Sequence, residues 1–505
     1  MSRTTNSLRN AAVSTGGQIL NSLLKFACRT VFIYTLGKEY LGISSLYTNV
    51  LTILSLSELG FSTAVTYSLY EPLAKGDRET VRSLMAFFRK VYRIVGLTVL
   101  LLGLCLMPFL PRLMTGVTDK VNIYHYYLIY LAQPVISYLF FAYKAVMLSA
   151  DQKGYISGTV SIFCNLALNL MKILVLVVWR SFFLYTAVAI VTQIAQNIIV
   201  SVLVDRRYPY LKKPAKPLAS ERKKDLYHRV YATFLQKISI TVTNATDNLV
   251  ISAFVGMVAV GLYNNYYLII STVRSFLSGI FGAMTASLGN LFVTESKERS
   301  AFVFRSLNMG GNLLAAICSV CFLVLFQPFI LLWAGEEYLL DRFTMWTIVL
   351  NFATIYLQSM VQIYRDATGL TVVGKYRSVI NAALNLIISV ILVKPLGMAG
   401  VFLGSVIARL AVNWWFDAWV LHRKGFGCSP VGYYLRYLLS LALIVLSYVL
   451  VETLCGGLPE ATWANLIIRA VLSVAVTGGL YLAIYGRSEE MKYLVEKGKT
   501  YLARK

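Results

Sequence analysis

Apolar stretches of about 20 residues recur along the whole chain between short polar breaks, the pattern of helices that cross a bilayer. Fourteen spans are predicted, over residues 13–35, 42–68, 86–110, 122–147, 155–178, 182–204, 231–255, 259–290, 302–333, 343–364, 376–394, 398–421, 434–455 and 463–485. The longest polar break, Asp205 to Val230, is rich in Lys, Arg and Pro. It divides the chain into a six-helix lobe over 1–204, a basic linker over 205–230 and a second six-helix lobe over 231–421. Two extra C-terminal helices follow over 422–486, then a tail over 487–505. The expected fold class is therefore an all-α polytopic membrane protein with about 14 transmembrane helices. In the tail, Met491, Leu494, Val495, Tyr501 and Leu502 recur at helical spacing among charges. That pattern predicts an amphipathic helix on the membrane surface.

The two lobes read as repeats. Gly37 and Gly42 in "LGKEYLGISSLY" match Gly256 and Gly261 in "VGMVAVGLYNNY". Pro108 matches Pro328, and Tyr155 matches Tyr376, at nearly the same offset and in the same order. Each repeat has an even number of helices, so both lobes enter the membrane in one orientation. Such repeats predict a pseudo-two-fold axis along the membrane normal and a cavity between the lobes.

Composition agrees: 57% of the 505 residues are hydrophobic and 14% charged, more apolar and less charged than soluble domains. The formal charge of +24 would suit nucleic acid, but its distribution argues otherwise. Placed on alternate sides of fourteen spans, most of the 47 Lys and Arg fall on the side that holds both termini. By the positive-inside rule that side is the cytoplasm. The bias explains the basicity without a nucleic-acid partner. The first dozen residues lack the apolar core and cleavage site of a signal peptide, so the first helix is expected to direct its own insertion.

Polar side chains interrupt particular spans at helical intervals. The first carries Ser14, Gln18, Asn21 or Ser22, Lys25 and Arg29; the eighth carries Asn264, Tyr267, Ser271, Arg274 and Ser278. The second has Thr48, Ser55, Glu58, Ser62 and Thr66, and the seventh has Gln236, Thr243 and Asp247. Polar faces at membrane depth must turn to one another or to water. Intramembrane cations (Lys25, Arg29, Lys172, Lys237, Arg274, Arg409, Arg469) outnumber the anions Glu58, Asp247 and Asp417. This excess predicts an anionic ligand, and guanidinium groups match phosphate oxygens in shape. Internal ion pairing is the alternative for any single residue, Glu58 with Lys25 or Arg29 and Asp247 with Arg274. Lys172 and Arg469, nearer span ends, are expected to snorkel to the interface. Arg409 faces either the cavity or a neighbouring helix.

Other chemistry is sparse. His125, His228 and His422 form no metal or triad pattern, and no phosphate-cradling G-x-x-x-x-G-K-[ST] occurs. Cys318 and Cys321 have C-x-x-C spacing inside a span, where they read as small buried hydrophobes. The 33 tyrosines read mainly as interfacial belts. No enzyme, metal site or cofactor is expected.

"LGISSLYTNVLTILSLSELGFSTAVTYSLYEPLAKGD" (41–77), "NATDNLVISAFVGMVAVGLYNNYYLI" (244–269) and "PLGMAGVFLGSVIARL" (395–410) resemble the polysaccharide flippases of the multidrug/oligosaccharidyl-lipid/polysaccharide exporter superfamily. The resemblance spans the first twelve helices. It implies alternating access by two six-helix lobes, with undecaprenyl-pyrophosphate-linked oligosaccharide carried from the inner to the outer leaflet of the bacterial cytoplasmic membrane. Related lipid II flippases use two further helices as a groove for the lipid tail, and helices 13 and 14 hold that place in the order. Arginines on helices 1 and 8 contact pyrophosphate in such relatives, which maps onto Arg29 and Arg274, with Lys25 added here. The resemblance also implies a monomer with membrane lipids, and with polymerase or glycosyltransferases, as partners. Glu58 and Asp247 are candidates for a coupling H+ or Na+, or for plain salt bridges; Gln18, Gln236, Lys237, Ser271 and Arg409 are further cavity candidates. Two rival readings are a cation-coupled multidrug exporter, disfavoured by the buried cations, and a non-transporting scaffold of a glycan-assembly complex.

Overall fold

The computed structural model describes residues 3–54, 61–113, 123–151, 153–218, 220, 224, 226–227, 246–368, 370, 373–374, 376–456 and 462–503. The chain divides into two compact units, Met1–Gly261 and Leu262–Lys505. No strand occurs among the described residues.

The first unit starts with α1, Arg3–Leu54, which is two helices joined at Gly37 (φ 76°, ψ −173°). A positive φ costs glycine nothing and any other residue about 1 kcal/mol or more. Its repeat mate Gly256 also has a positive φ of 121°. Then come α2 (Phe61–Ala74), α3 (Arg78–Leu106), α4 (Ile123–Leu139), α5 (Ala145–Ala150), α6 (Gly154–Trp179) and α7 (Phe182–Arg207). Asp77 caps α3 by accepting from the Thr80 N–H at 3.0 Å, which satisfies one of the orphan donors of a helix start. α1 packs on α6, α3 on α4, and α7 on both α4 and α6. The expected fourth span is bent by 50° between α4 and α5. The bend carries Lys144 to α7, where its ammonium donates to Asp205 at 2.6 Å and to Ser201 at 2.9 Å; a partnered cation replaces one that a straight helix would leave alone.

The matching glycines 42 and 261 touch. A Cβ on Gly42 would lie 2.7 Å from the Met257 carbonyl oxygen, and one on Gly261 would lie 2.9 Å from the Gly42 nitrogen. Backbones approach this closely only where side chains are absent. Gly42→Ala or Gly261→Ala is therefore expected to destabilise the protein by about 1–3 kcal/mol, the usual cost of overpacking. Thermal unfolding in detergent checks this. Gly279→Ala, which meets nothing within 4 Å, should be harmless or slightly stabilising. Equal midpoints for all three variants would show that the crossing is not tight.

The second unit is organised around one long helix. α8 (Met257–Thr294) leads into α9 (Lys297–Trp333), followed by α10 (Arg342–Tyr356), α11 (Ser359–Ala367) and α12 (Arg377–Leu396). Met398–Phe426 forms one span, α13, interrupted by π-helical turns at Leu410–Trp414 and Leu421–Phe426. Then follow α14 (Val431–Cys455), α15 (Trp463–Tyr485) and α16 (Glu489–Ala503). α9 packs against α10, α14, α15 and α16, while α12 and α13 pack closely on each other. Asn312 in α9 donates to Ser440 in α14 at 3.2 Å and accepts at its carbonyl from Tyr481 in α15 at 3.3 Å. These bonds join the two C-terminal spans to the α9 hub. The tail helix α16 docks on the same hub. Glu490 takes Arg436 at 3.1 Å and Arg305 at 3.4 Å, and Tyr493 meets Phe302 edge-on. Burial alone would raise the Glu490 carboxyl; its backbone N–H and the two guanidinium groups outweigh that and hold it below the usual range.

Eight helices among the described residues are long and apolar enough to span a membrane, or nine with the bent pair. They coincide with nine of the fourteen expected spans. Four of the other five are the polar-striped first, second, seventh and eighth; part of the second and most of the seventh lie outside the described residues.

Candidate functional site

Polar stripes place the candidate residues. In α1, Lys25 and Arg29 are one helical turn apart, so their side chains share a face. Lys25 is exposed and Arg29 half-buried. An Arg29 Nη2–H donates to the Gly261 carbonyl at 3.4 Å, the residue that crosses Gly42.

A third cation joins them from α6. The expected snorkelling of Lys172 is not what occurs. Its ammonium lies 4.3 Å from the centre of the Tyr185 ring, with Cys28 and Lys25 close enough to act on it electrostatically. The favourable ring face and the deep α1–α6 contact outweigh the reach to the interface. Arg29 in turn acts on Tyr130 and Tyr185, and the Tyr130 hydroxyl donates to Ser44 Oγ at 2.7 Å. Lys25 and Lys172 form no ion pair among the described residues. Three like charges therefore gather, bordered by tyrosine hydroxyls. Such a cluster is costly unless water or an anion completes it. A signal for Lys172 was present in the sequence: Ser161, Asn165, Asn169 and Lys172 follow one another at four, four and three residues. Asn165 donates to Ser161 at 3.2 Å and Asn169 to the Asn165 carbonyl at 2.7 Å, so α6 carries a polar stripe of its own.

In the second unit Arg274 is half-buried on α8 beside the Tyr356 hydroxyl of α10, which also donates to the Arg274 carbonyl at 3.5 Å. It forms no ion pair among the described residues. Ser271, one turn earlier, returns its hydroxyl to the Leu268 carbonyl at 2.9 Å and so satisfies its own helix. Arg409 is engaged in packing. It donates to Thr354 Oγ1 at 2.6 Å and Asn351 Oδ1 at 2.8 Å, both on α10. Arg469 does not snorkel either: its guanidinium is 7% exposed and sits 3.8 Å from Glu452, since the α14–α15 contact buries it where a carboxylate is in reach.

Asp417 is fully buried and receives Arg365 and Arg377 on one carboxylate oxygen, while Gln358 donates to the other at 3.2 Å. Arg365 also donates to the Val373 carbonyl at 2.9 Å. This anion is thus neutralised by Arg365 of α11 and Arg377 at the start of α12 and offers nothing to a ligand. Asp247 is half-buried beside Asn248, whose amide donates to Asn49 at 3.1 Å. Glu58, Gln236 and Lys237 lie outside the described residues, as does the side chain of Gln18. No three His, Cys, Asp or Glu residues are grouped to hold a metal among the described residues.

Residues 7–285 match the family described as polysaccharide biosynthesis protein. Among solved structures, the lipid II flippase MurJ in an inward closed conformation is similar at 13% identity and TM-score 0.66, covering 95% of this chain and 99% of that one. An inward-facing multidrug resistance MATE family transporter of the MOP superfamily matches at 14% identity and TM-score 0.61, over 82% of this chain and 98% of its own. A MOP superfamily transporter from Pyrococcus furiosus, described as having a binding pocket of reversed polarity, matches at 14% identity and TM-score 0.54, over 84% and 96%. At these identities the likeness is one of fold. No curated protein matches the chain by sequence.

Proposed function

This chain belongs to the polysaccharide biosynthesis protein family, and from that premise we propose that it is a flippase for a polyprenyl-pyrophosphate-linked oligosaccharide. The cargo moves from the inner to the outer leaflet of the bacterial cytoplasmic membrane by alternating access, with both termini in the cytoplasm. The observation that carries this reading is the gathering of Lys25, Arg29 and Lys172 beside Tyr130 and Tyr185, with neither lysine ion-paired among the described residues. A pyrophosphate brings negative charge to these cations, and its oxygens suit these donors. Arg274 on α8 is a further candidate for contact with pyrophosphate. The lipid tail stays in the membrane, and the polymerase or glycosyltransferases of the pathway are partners. No cofactor is required; Glu58 and Asp247 are candidates for a coupling ion.

Proteoliposomes containing only this protein and a fluorescent lipid-linked oligosaccharide test the reading. Transfer of the label to the opposite leaflet is expected, and Lys172→Met should slow it about tenfold, the worth of one charge-assisted bond. Imposing potential, pH gradient and sodium gradient separately identifies the driving force. A potential alone suffices if the anion's outward movement is the driven step, by about 2.3 kcal/mol per charge per 100 mV. Absence of transfer with intact, folded protein would favour the scaffold reading. The drug-exporter reading requires transport of cationic drugs, which three gathered cations oppose by repulsion.

A further inference from the structure

A second basic site lies away from α1 and α6, where α2 ends, α3 begins and α7 runs into Pro209–Lys212. These segments enclose a pocket of about 540 Å3 whose polar lining is Asp77, Arg78, Arg207, Tyr208, Tyr210 and Lys213. Two membrane spans, Arg78–Phe109 and Phe182–Arg207, end at its rim. The pocket therefore sits at the level of lipid headgroups.

Its charges are unequal. The one lining carboxylate, Asp77, is already engaged as the cap of α3. Against it stand Arg78, Arg207 and Lys213. The Arg78 guanidinium is laid over the Tyr210 ring at 5.6 Å, which orients it without neutralising it. Arg207 and Lys213 have no ion pair or side-chain hydrogen bond among the described residues. Cations just outside are treated differently: Lys216 pairs with Glu79 at 2.7 Å, and Lys153 pairs with Asp151, which also accepts from Tyr208. The three pocket cations are left for something that enters.

We propose that this pocket binds the phosphate of an anionic headgroup at the membrane surface, with Arg78, Arg207 and Lys213 as its donors. Guanidinium forks and an ammonium suit phosphate oxygens, and the volume leaves room for more than one bare ion. The same phosphate chemistry is offered by an anionic phospholipid such as phosphatidylglycerol and by a soluble phosphate.

Native mass spectrometry of the full-length protein in detergent, titrated with dioctanoyl phosphatidylglycerol or dioctanoyl phosphatidylcholine, tests the proposal. The wild type should retain the anionic lipid in preference. The triple variant R78Q/R207Q/K213Q should lose that preference, at about fivefold per cation removed. R206Q/K212Q/K216Q alters as many charges in the same region but none in the pocket, and should behave as wild type. The Lys216–Glu79 pair that this control breaks is exposed on both sides and contributes little to stability. If the pocket variant misfolds, Lys213→Gln alone, on an exposed segment, should still weaken retention about fivefold. Competition by inorganic phosphate assigns the site to soluble phosphates, and its failure assigns it to a lipid headgroup. Equal loss in the two triple variants, or undiminished retention by the pocket variants, overturns the proposal.

Discussion

Flipping is expected to fall at least about tenfold in Arg29→Ala and in Arg274→Ala, with the protein still folded in the membrane. A hydrogen bond to a charged group contributes about 1.5–3 kcal/mol, which is roughly ten- to a hundredfold in rate if the contact holds the cargo during translocation. Lysine at either position should restore only part of the activity, because a bidentate fork becomes a point charge. Arg29 also donates to the Gly261 carbonyl, so its variant needs a control for structure. An unchanged unfolding temperature together with lost transport places the effect on the cargo; a lowered temperature places it on the helix crossing. Arg274 has a cleaner expectation, since its described side-chain contact is to the Tyr356 hydroxyl. Full activity in both alanine variants would remove these residues from the site.

Asp417→Ala should destabilise the second unit by about 3–5 kcal/mol, the cost of leaving buried charge without its partner. Asp417 is fully buried and Arg365 is 3% exposed, so neither charge has water to fall back on. The variant is expected to give little folded protein in membranes, read by size-exclusion chromatography and thermal unfolding. Arg377→Gln should cost less, because Arg377 is 19% exposed and Arg365 still neutralises the carboxylate. Asp417→Ala unfolding at the wild-type temperature would mean that the loop between α11 and α12 does not depend on this anion.

Much of the architecture was legible in the chain. Apolar stretches located the eight spans among the described residues, nine with the bent pair, because the free energy of placing a helix in lipid is summed over its own residues. The offset between Gly37 and Gly256 marked two places where the backbone takes a positive φ, a demand met by the residue itself. The tail's apolar spacing foretold a helix, and α16 is one. Lys25, Arg29 and Arg274 stand out in the sequence as cations within apolar segments.

The fate of each charge was decided by the tertiary structure. Asp417 belongs with Arg365, 52 residues away, Arg409 with Asn351 and Thr354, and Arg469 with Glu452. Lys172, near the end of its span, turns instead to the Tyr185 ring, with Cys28 and the like charge of Lys25 nearby. Hydropathy is a property of one segment, so one segment suffices to read it. Neutralising a buried charge needs a partner within a few ångströms, and that partner comes from another helix whose approach no local pattern encodes.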